Sequence, residues 1–288
     1  YGDEYLGRVT FRRALMKSAN AATVRVSRSV GERRVVEMAH RAGITSKLDP
    51  VPSIALGALE VTPLELVTAY APFANGGRRV TPRLVRRIEA ADGTPVWSSE
   101  VGETSAVLDP KDAYELTSML RAVVDHGTGR SVRDYGVSSA IPVAGKTGTT
   151  NNGADVWFVG YTPTLVAGFW FGFDQPKQIS GDASGGRLAA PAWADFYRAG
   201  WREPRNSAWT PPDGMVAATI DPTTGELATE WCPIKRREWF EPGGEPTGEC
   251  QGHAAPPEPE YDEWGWPKDS GASVGDRIGK ALKKIFQF

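Results

Sequence analysis

Two cysteines and three histidines in 288 residues leave few soft ligands to build with. Cys232 and Cys250 lie in a Pro/Gly-rich stretch with only His253 nearby. That spacing matches no usual zinc pattern, so no metal site is expected. A disulfide between Cys232 and Cys250 is expected ahead of two free thiols, because a loop-rich segment with little core gains most from a cross-link. Long hydrophobic runs are also missing. The longest, Leu165 to Phe173, is about nine residues, against the ~20 that span a bilayer. Neither sign of charge dominates: 33 Lys and Arg face 35 Asp and Glu, for a net charge of −2. No block of like charge is present, so nothing points to nucleic acid. There is no initiator Met, no signal-peptide pattern and no internal repeat. The chain opens at Tyr1-Gly2-Asp3, and an N-terminal part is expected to precede it. What is left is ordinary, 40% hydrophobic and 24% charged, and suits one globular domain with appendages.

The most informative stretch is Ile141-Pro142-Val143-Ala144-Gly145-Lys146-Thr147-Gly148-Thr149-Thr150. An apolar run climbs into a lysine, hydroxyls follow around a glycine, and a soft turn comes at Asn151-Asn152-Gly153. Two further apolar segments, Asp155 to Tyr161 and Leu165 to Phe171, are separated by Thr162-Pro163. The pattern predicts three consecutive strands with Lys146 on the first.

Upstream, helices are predicted over 8–17, from Ala21 to Val30 with a stop at Gly31, and from Glu32 to Arg41 ending at Gly43. Ser18 and Asn20 are two apart. On one continuous helix they would lie ~200° apart, so serving a common site requires a turn between the helices. The plainer reading has Ser18 capping the following helix. Residues 51–61 are an apolar connector. Thr62-Pro63-Leu64-Glu65 has capping-box spacing and starts a helix towards Phe73, stopped at Asn75-Gly76-Gly77. Residues 80–98 read as a hairpin around Asp92-Gly93. Asp109 starts a helix through Leu120 and Val124, stopped by Gly127 and Gly129. Pro191 to Trp201 is a helix whose aromatic face (Trp193, Phe196, Tyr197, Trp201) reads as core. Beyond Glu203 only short strands are plausible, at Met215 to Ile220 and Trp239-Phe240. Three segments follow: a main domain over 1–204, a Pro/Gly-rich extension over 205–250, and 251–288. The last holds a disordered-type linker and a basic amphipathic tail helix, Val274 to Phe288, either a marginal helix or one lying on a membrane surface.

Two chemistries suit Lys146. A phosphate loop needs a glycine where Ala140 stands and a helix after the threonine, and the sequence offers neither. Acyl transfer fits better. An ammonium, two hydroxyls and a glycine on a strand make an edge that can pair an extended peptide and bind a carboxylate. The bland alternative is a surface strand with one ordinary lysine.

Lys146-Thr147-Gly148 resembles the K-T-G element of penicillin-binding proteins and serine β-lactamases, and Ser18-Ala19-Asn20 resembles their S-x-N element. Further stretches resemble class A penicillin-binding proteins, the bifunctional peptidoglycan synthases. They are Gly7 to Leu15, Ala55-Leu56-Gly57, Glu60 to Leu66, Ala69 to Gly77, Gly127-Thr128-Gly129 and Asp155 to Tyr161. The segment from Asp221-Pro222-Thr223-Thr224-Gly225 to Cys250 is similar to C-terminal extensions of some members.

The resemblance implies an α+β penicillin-binding-protein/serine β-lactamase-like transpeptidase fold, an antiparallel sheet flanked by helices, truncated at its N-terminus. It implies a D,D-transpeptidase acting on stem peptides that end in D-alanyl-D-alanine, inhibited by β-lactams, without cofactor or metal, at the extracytoplasmic face of a bacterial cytoplasmic membrane. Ser18 would relay a proton, Asn20 hold the substrate amide, and Lys146 tune Ser18 and attract the terminal carboxylate. Thr147, Gly148 and Thr149 would bind that carboxylate and open the strand to it. One departure stands out: no serine in the chain has lysine three residues later, so the S-x-x-K nucleophile is expected upstream, with the membrane anchor. The rivals are a non-catalytic penicillin sensor or scaffold of the same fold, a D,D-carboxypeptidase or β-lactamase, and a structural envelope-binding module.

Overall fold

The computed structural model describes residues 6–253 apart from 100, 101 and 103. The expected tail helix and most of the linker before it lie outside the described residues.

Local hydrogen bonds set the helical layer. Helix α1 (Phe11–Lys17) is capped by Thr10, whose side chain accepts the Arg13 N–H. It therefore starts later than the periodicity from residue 8 suggests. Helix α2 (Asn20–Val30) stops at Gly31, and α3 (Glu32–Ala42) stops at Gly43, both as expected. The connector carries a 3-10 turn, Pro52–Leu56.

Helix α4 (Pro63–Ala69) opens on the capping box legible in the sequence. Thr62 Oγ1 accepts the Glu65 N–H, and the Glu65 carboxylate accepts the Thr62 backbone N–H at 3.0 Å. The same carboxylate accepts the N–H groups of Thr45 (2.7 Å) and Ser46 (2.9 Å), tying α4 to the chain leaving α3. Hydrogen bonds from the side chains of Ser46 and Thr45, then from the backbone, hold the Glu65 carboxyl far below its usual range. Its contribution is whole above the unfolded-state pKa and is lost as pH falls towards the folded one. Replacing Thr62 by Ala is expected to cost about 1 kcal/mol, seen as a lower thermal midpoint. An unchanged midpoint would show that the cap is redundant.

The helix expected to reach Phe73 instead breaks at Tyr70, and α5 (Ala71–Ala74) resumes after it. Pro72 has no N–H to continue the ladder. Strand β1 (Arg78–Arg79) follows. Then β2 (Arg87–Glu89) and β3 (Pro95–Ser98) form an exposed hairpin, narrower than the 80–98 span expected, and β4 (Ser105–Ala106) returns to pair with β1. Helix α6 (Pro110–His126) is capped by Asp109, and α7 (Ser131–Asp134) is a single turn.

The three strands built around Lys146 appear where the sequence places them: β5 (Ala144–Thr149), β6 (Val156–Tyr161) and β7 (Val166–Phe171), antiparallel, in the order β5-β6-β7. Unbroken register puts Lys146 opposite Val159, and Val159 opposite Gly168. A π turn, Gly185–Ala189, leads into α8 (Ala190–Gly200). Trp193 of α8 is fully buried. Its Nε1 donates to the Gly160 carbonyl (3.1 Å), and its ring lies edge-on to Phe158 and stacked on Tyr197. On the aromatic face of α8, Trp193 and Tyr197 are core. Phe196 is not: at 3.6 residues per turn it falls on the flank, exposed beside Phe169. A second cluster joins Ala144 and Tyr161 of the sheet to Leu120 and Val123 of α6, with Leu15 of α1 against it.

Strands β8 (Val216–Ile220) and β9 (Arg236–Phe240) form an antiparallel ribbon that packs onto α6. Arg12 of α1 is ion-paired with Glu238 of β9, with the two side chains 17% and 10% exposed. Arg12 also donates to Ser118 Oγ of α6 at 3.0 Å. Trp209 Nε1 donates to the Ala74 carbonyl (2.8 Å), and its ring lies edge-on to Tyr161.

Cys232 and Cys250, expected as a disulfide, stand in this structure as two buried free thiols. Both sulfurs take part in hydrogen bonds. The Thr229 N–H donates to Cys232 Sγ (3.3 Å), and Cys250 Sγ is hydrogen-bonded to His253 Nδ1 (3.5 Å).

Candidate active site

The chain between α1 and α2 turns in two residues, Ser18 and Ala19. Ser18 adopts the left-handed conformation, φ 53 and ψ 47, which residues other than Gly, Asn and Asp seldom take. The Ala19 N–H, bonded to the Ala14 carbonyl at 2.9 Å, holds the turn. Asn20 then opens α2, with its side chain exposed. The plainer reading of Ser18, a cap for α2, does not hold: Ala19 is the N-cap residue of α2 and makes no side-chain cap bond.

The turn carries the Ser18 hydroxyl to the sheet. Lys146 Nζ donates to Ser18 Oγ at 2.9 Å and to the Thr147 carbonyl at 2.9 Å. Burial brings the Lys146 ammonium from its ordinary value of 10.5 down to about 8. No carboxylate among the described residues is salt-bridged to it. A partly desolvated cation of this kind favours an incoming anion.

Alternation along β5 sends Thr147 and Thr149 to the opposite side of the strand from Lys146. There Thr147 Oγ1 shares a 2.7 Å hydrogen bond with Thr128 Oγ1, and Thr149 Oγ1 accepts the Gly185 N–H at 3.0 Å. Thr149, which accepts from the Gly185 N–H, keeps its own hydroxyl proton for a ligand. Gly148 was expected to let another backbone approach the strand. A Cβ on Gly148 would lie 3.2 Å from Trp157 Cβ, and it is Gly185 whose lack of a Cβ brings its backbone close to the Gly148 carbonyl oxygen. The other edge of β5 carries no strand partner among the described residues.

The structure thus brings Ser18, Lys146, Thr147, Gly148 and Thr149 into one region around β5, with Asn20 at the head of α2. It adds two contributors that sequence reasoning gave no role. Thr128 sits between two glycines, a pattern visible in the sequence. A Cβ on Gly127 would meet the Met16 carbonyl oxygen at 2.5 Å, so the loop presses against the end of α1. The Gly185 N–H had no local signal at all. The described residues that could hold a metal lie in the C-terminal segment: Asp221, Cys232, Cys250 and His253.

Residues 2–198 match the family described as penicillin binding protein transpeptidase domain, and residues 211–255 match the penicillin-binding protein 1A C-terminal domain. The chain is 38% identical over 234 residues to penicillin-binding protein 1A of Aquifex aeolicus, covering 81% of this chain and 31% of that protein. It is 32% identical over 249 residues to penicillin-binding protein 1A of Rickettsia conorii, covering 79% of this chain and 31% of the relative. It spans about a third of the length of these curated relatives. Among solved structures, penicillin-binding protein 1A from Haemophilus influenzae superposes with a TM-score of 0.72 at 24% identity, over 84% of this chain and 41% of that one. PonA1 from Mycobacterium tuberculosis, solved in complex with penicillin V, gives 0.58 at 24% identity, over 70% and 58%. The α+β architecture of those structures is the one described above. With the family match running through both the Ser18 turn and the Lys146 strand, the chain belongs to the penicillin-binding protein transpeptidase family.

Proposed function

We propose that this chain supplies two of the three catalytic elements of a serine D,D-transpeptidase that cross-links peptidoglycan stem peptides. The observation that carries the reading is the 2.9 Å contact between Lys146 Nζ and Ser18 Oγ, made by residues 128 apart in sequence. A lysine held against a serine hydroxyl, on a strand that also carries two threonine hydroxyls and an open edge, suits acyl transfer from a peptide ending in a carboxylate.

In this mechanism the ammonium of Lys146 attracts the D-alanyl-D-alanine carboxylate and lowers the cost of proton movement at Ser18. Ser18 passes a proton to the leaving amine during acylation and takes one from the acceptor amine during transfer. Asn20 holds the substrate amide. Thr147 and Thr149 donate hydroxyl hydrogen bonds to the carboxylate, and the Thr149 N–H is one of the oxyanion donors. The acylated nucleophile is the serine of an S-x-x-K element upstream of Tyr1, in the same part as the membrane anchor. Residues 1–204 complete the transpeptidase domain at the extracytoplasmic face of the membrane, followed by the extension over 205–250 and the tail over 251–288.

Labelling with a fluorescent penicillin tests this. The full-length protein is expected to carry one covalent adduct, on a serine outside these residues, and the 288-residue chain by itself none. An intact-mass shift of one penicillin on the chain alone would overturn the placement of the nucleophile. Product analysis with a donor pentapeptide and an acceptor amine separates the rivals. Cross-linked dimer supports transpeptidation, whereas only trimmed peptide or hydrolysed penicillin would point to a carboxypeptidase or β-lactamase.

A further inference from the structure

The segment after α8 is poor in core, and its buried polar groups converge on one point. Asp221 ends β8 and is 1% exposed, while Cys232 is 4% and Cys250 3% exposed. One atom from each of these three residues and from His253 lies within 4.8 Å of the others. His253 Nδ1 is 3.0 Å from Asp221 Oδ2 and 3.5 Å from Cys250 Sγ. Tetrahedral zinc with bonds of roughly 2.0–2.3 Å sets its ligands ~3.3–3.8 Å apart, so only a small contraction is needed.

We propose that Asp221, Cys232, Cys250 and His253 form a four-ligand structural site for a zinc-class divalent cation.

The donor set fits such an ion. Two sulfurs, an imidazole and one carboxylate oxygen suit a borderline-soft metal and are too few in oxygen for calcium or magnesium. The outer contacts are also in place. The Thr223 and Thr224 N–H groups donate to Asp221 Oδ1 at 2.7 and 3.1 Å, which leaves Oδ2 facing the cluster. The Thr229 N–H donates to Cys232 Sγ, the kind of bond that steadies a thiolate. Three stretches of chain are already pinned together around the site. The Leu227 N–H reaches the Gly248 carbonyl (2.9 Å), and the Cys250 N–H reaches the Leu227 carbonyl (2.8 Å). Binding replaces the two thiol protons with metal–sulfur bonds and releases those protons to solvent.

Sequence spacing pointed away from a metal because no ligand pair of the usual type precedes Cys232. The missing ligand is Asp221, which reads locally as the start of an Asp-Pro-Thr-Thr-Gly turn and does also form one. A staple here joins a segment with little core of its own, and that segment touches α1: a Cβ on Gly225 would lie 2.9 Å from Thr10 Cγ2.

The test uses the whole chain, reduced, stripped with chelator and titrated with zinc chloride, and in parallel with cobalt(II). We expect one zinc retained per chain after gel filtration, a cobalt spectrum with thiolate charge-transfer and tetrahedral ligand-field bands, and a thermal midpoint that rises with zinc. Cys232→Ser/Cys250→Ser is expected to weaken binding by roughly a hundredfold or more. His253→Ala, which removes a half-buried ligand, is the second variant should the double one fail to fold. Substoichiometric zinc, a cobalt spectrum without thiolate bands, or binding indifferent to both variants would overturn the site. So would native protein whose two cysteines are disulfide-bonded and whose reduced form takes no zinc.

Discussion

Lys146→Ala in the full-length protein is expected to slow acylation by a fluorescent penicillin at least about a hundredfold, roughly 2.7 kcal/mol of transition-state stabilisation. The size follows from what the ammonium does. It is the cation in hydrogen-bond reach of Ser18 Oγ. It is partly desolvated, so its field on an incoming carboxylate is screened less than in bulk water. Burial lowers its pKa from 10.5 to about 8. The acylation rate should therefore hold up to about pH 8 and decline above it as the ammonium is lost. The sign for stability is opposite. Because the folded pKa lies below the unfolded one, the unfolded state binds more protons between about 8 and 10.5, and stability rises with pH across that window. Removing the charge at neutral pH thus relieves a desolvation cost, and the thermal midpoint of the variant should not fall. A variant that keeps its midpoint and loses its labelling separates chemistry from unfolding. Full labelling of Lys146→Ala would sink the mechanism.

Glu238→Ala is expected to cost about 3–5 kcal/mol, because it leaves the nearly buried Arg12 guanidinium without its counter-charge. Ser118 still accepts from Arg12, but a neutral hydroxyl and a carbonyl do not balance a cation at low exposure. The consequence should reach the site. Arg12 lies on α1, α1 ends at Ser18, and the strained turn at Ser18 depends on α1 holding its place. We expect a lower thermal midpoint together with slower penicillin labelling. Arg12→Met/Glu238→Leu, which removes both charges and keeps the volume apolar, should recover most of the midpoint. A Glu238→Ala protein that unfolds within about 1 kcal/mol of wild type would show that the C-terminal ribbon does not brace the helix.

How far the fold could be read depended on the range of each interaction. The capping box at Thr62 and Glu65, the cap at Asp109 and the stops at Gly31 and Gly43 are decided within three or four residues, and they appear as read. The three strands around Lys146 are also local, since each is a short run joined to the next by a short turn. The break at Tyr70 was available from Pro72 but was overridden by the apolar pattern on either side. Phe196 has the residue type of a core position, but its angle on the helix puts it on the exposed flank.

The sequence by itself therefore singled out the residues proposed to carry the chemistry, because K-T-G and S-x-N are words a few residues long. It also implied that Ser18 and Asn20 needed a turn between them. The tertiary structure alone decided what those residues touch. It put Ser18 on Lys146, Thr128 on Thr147 and the Gly185 N–H on Thr149, and it drew the free thiols of Cys232 and Cys250 to Asp221 and His253. Apart from the short reach from Cys250 to His253, these contacts span loops whose closure is set by the whole core, and no local propensity records where such a loop will close.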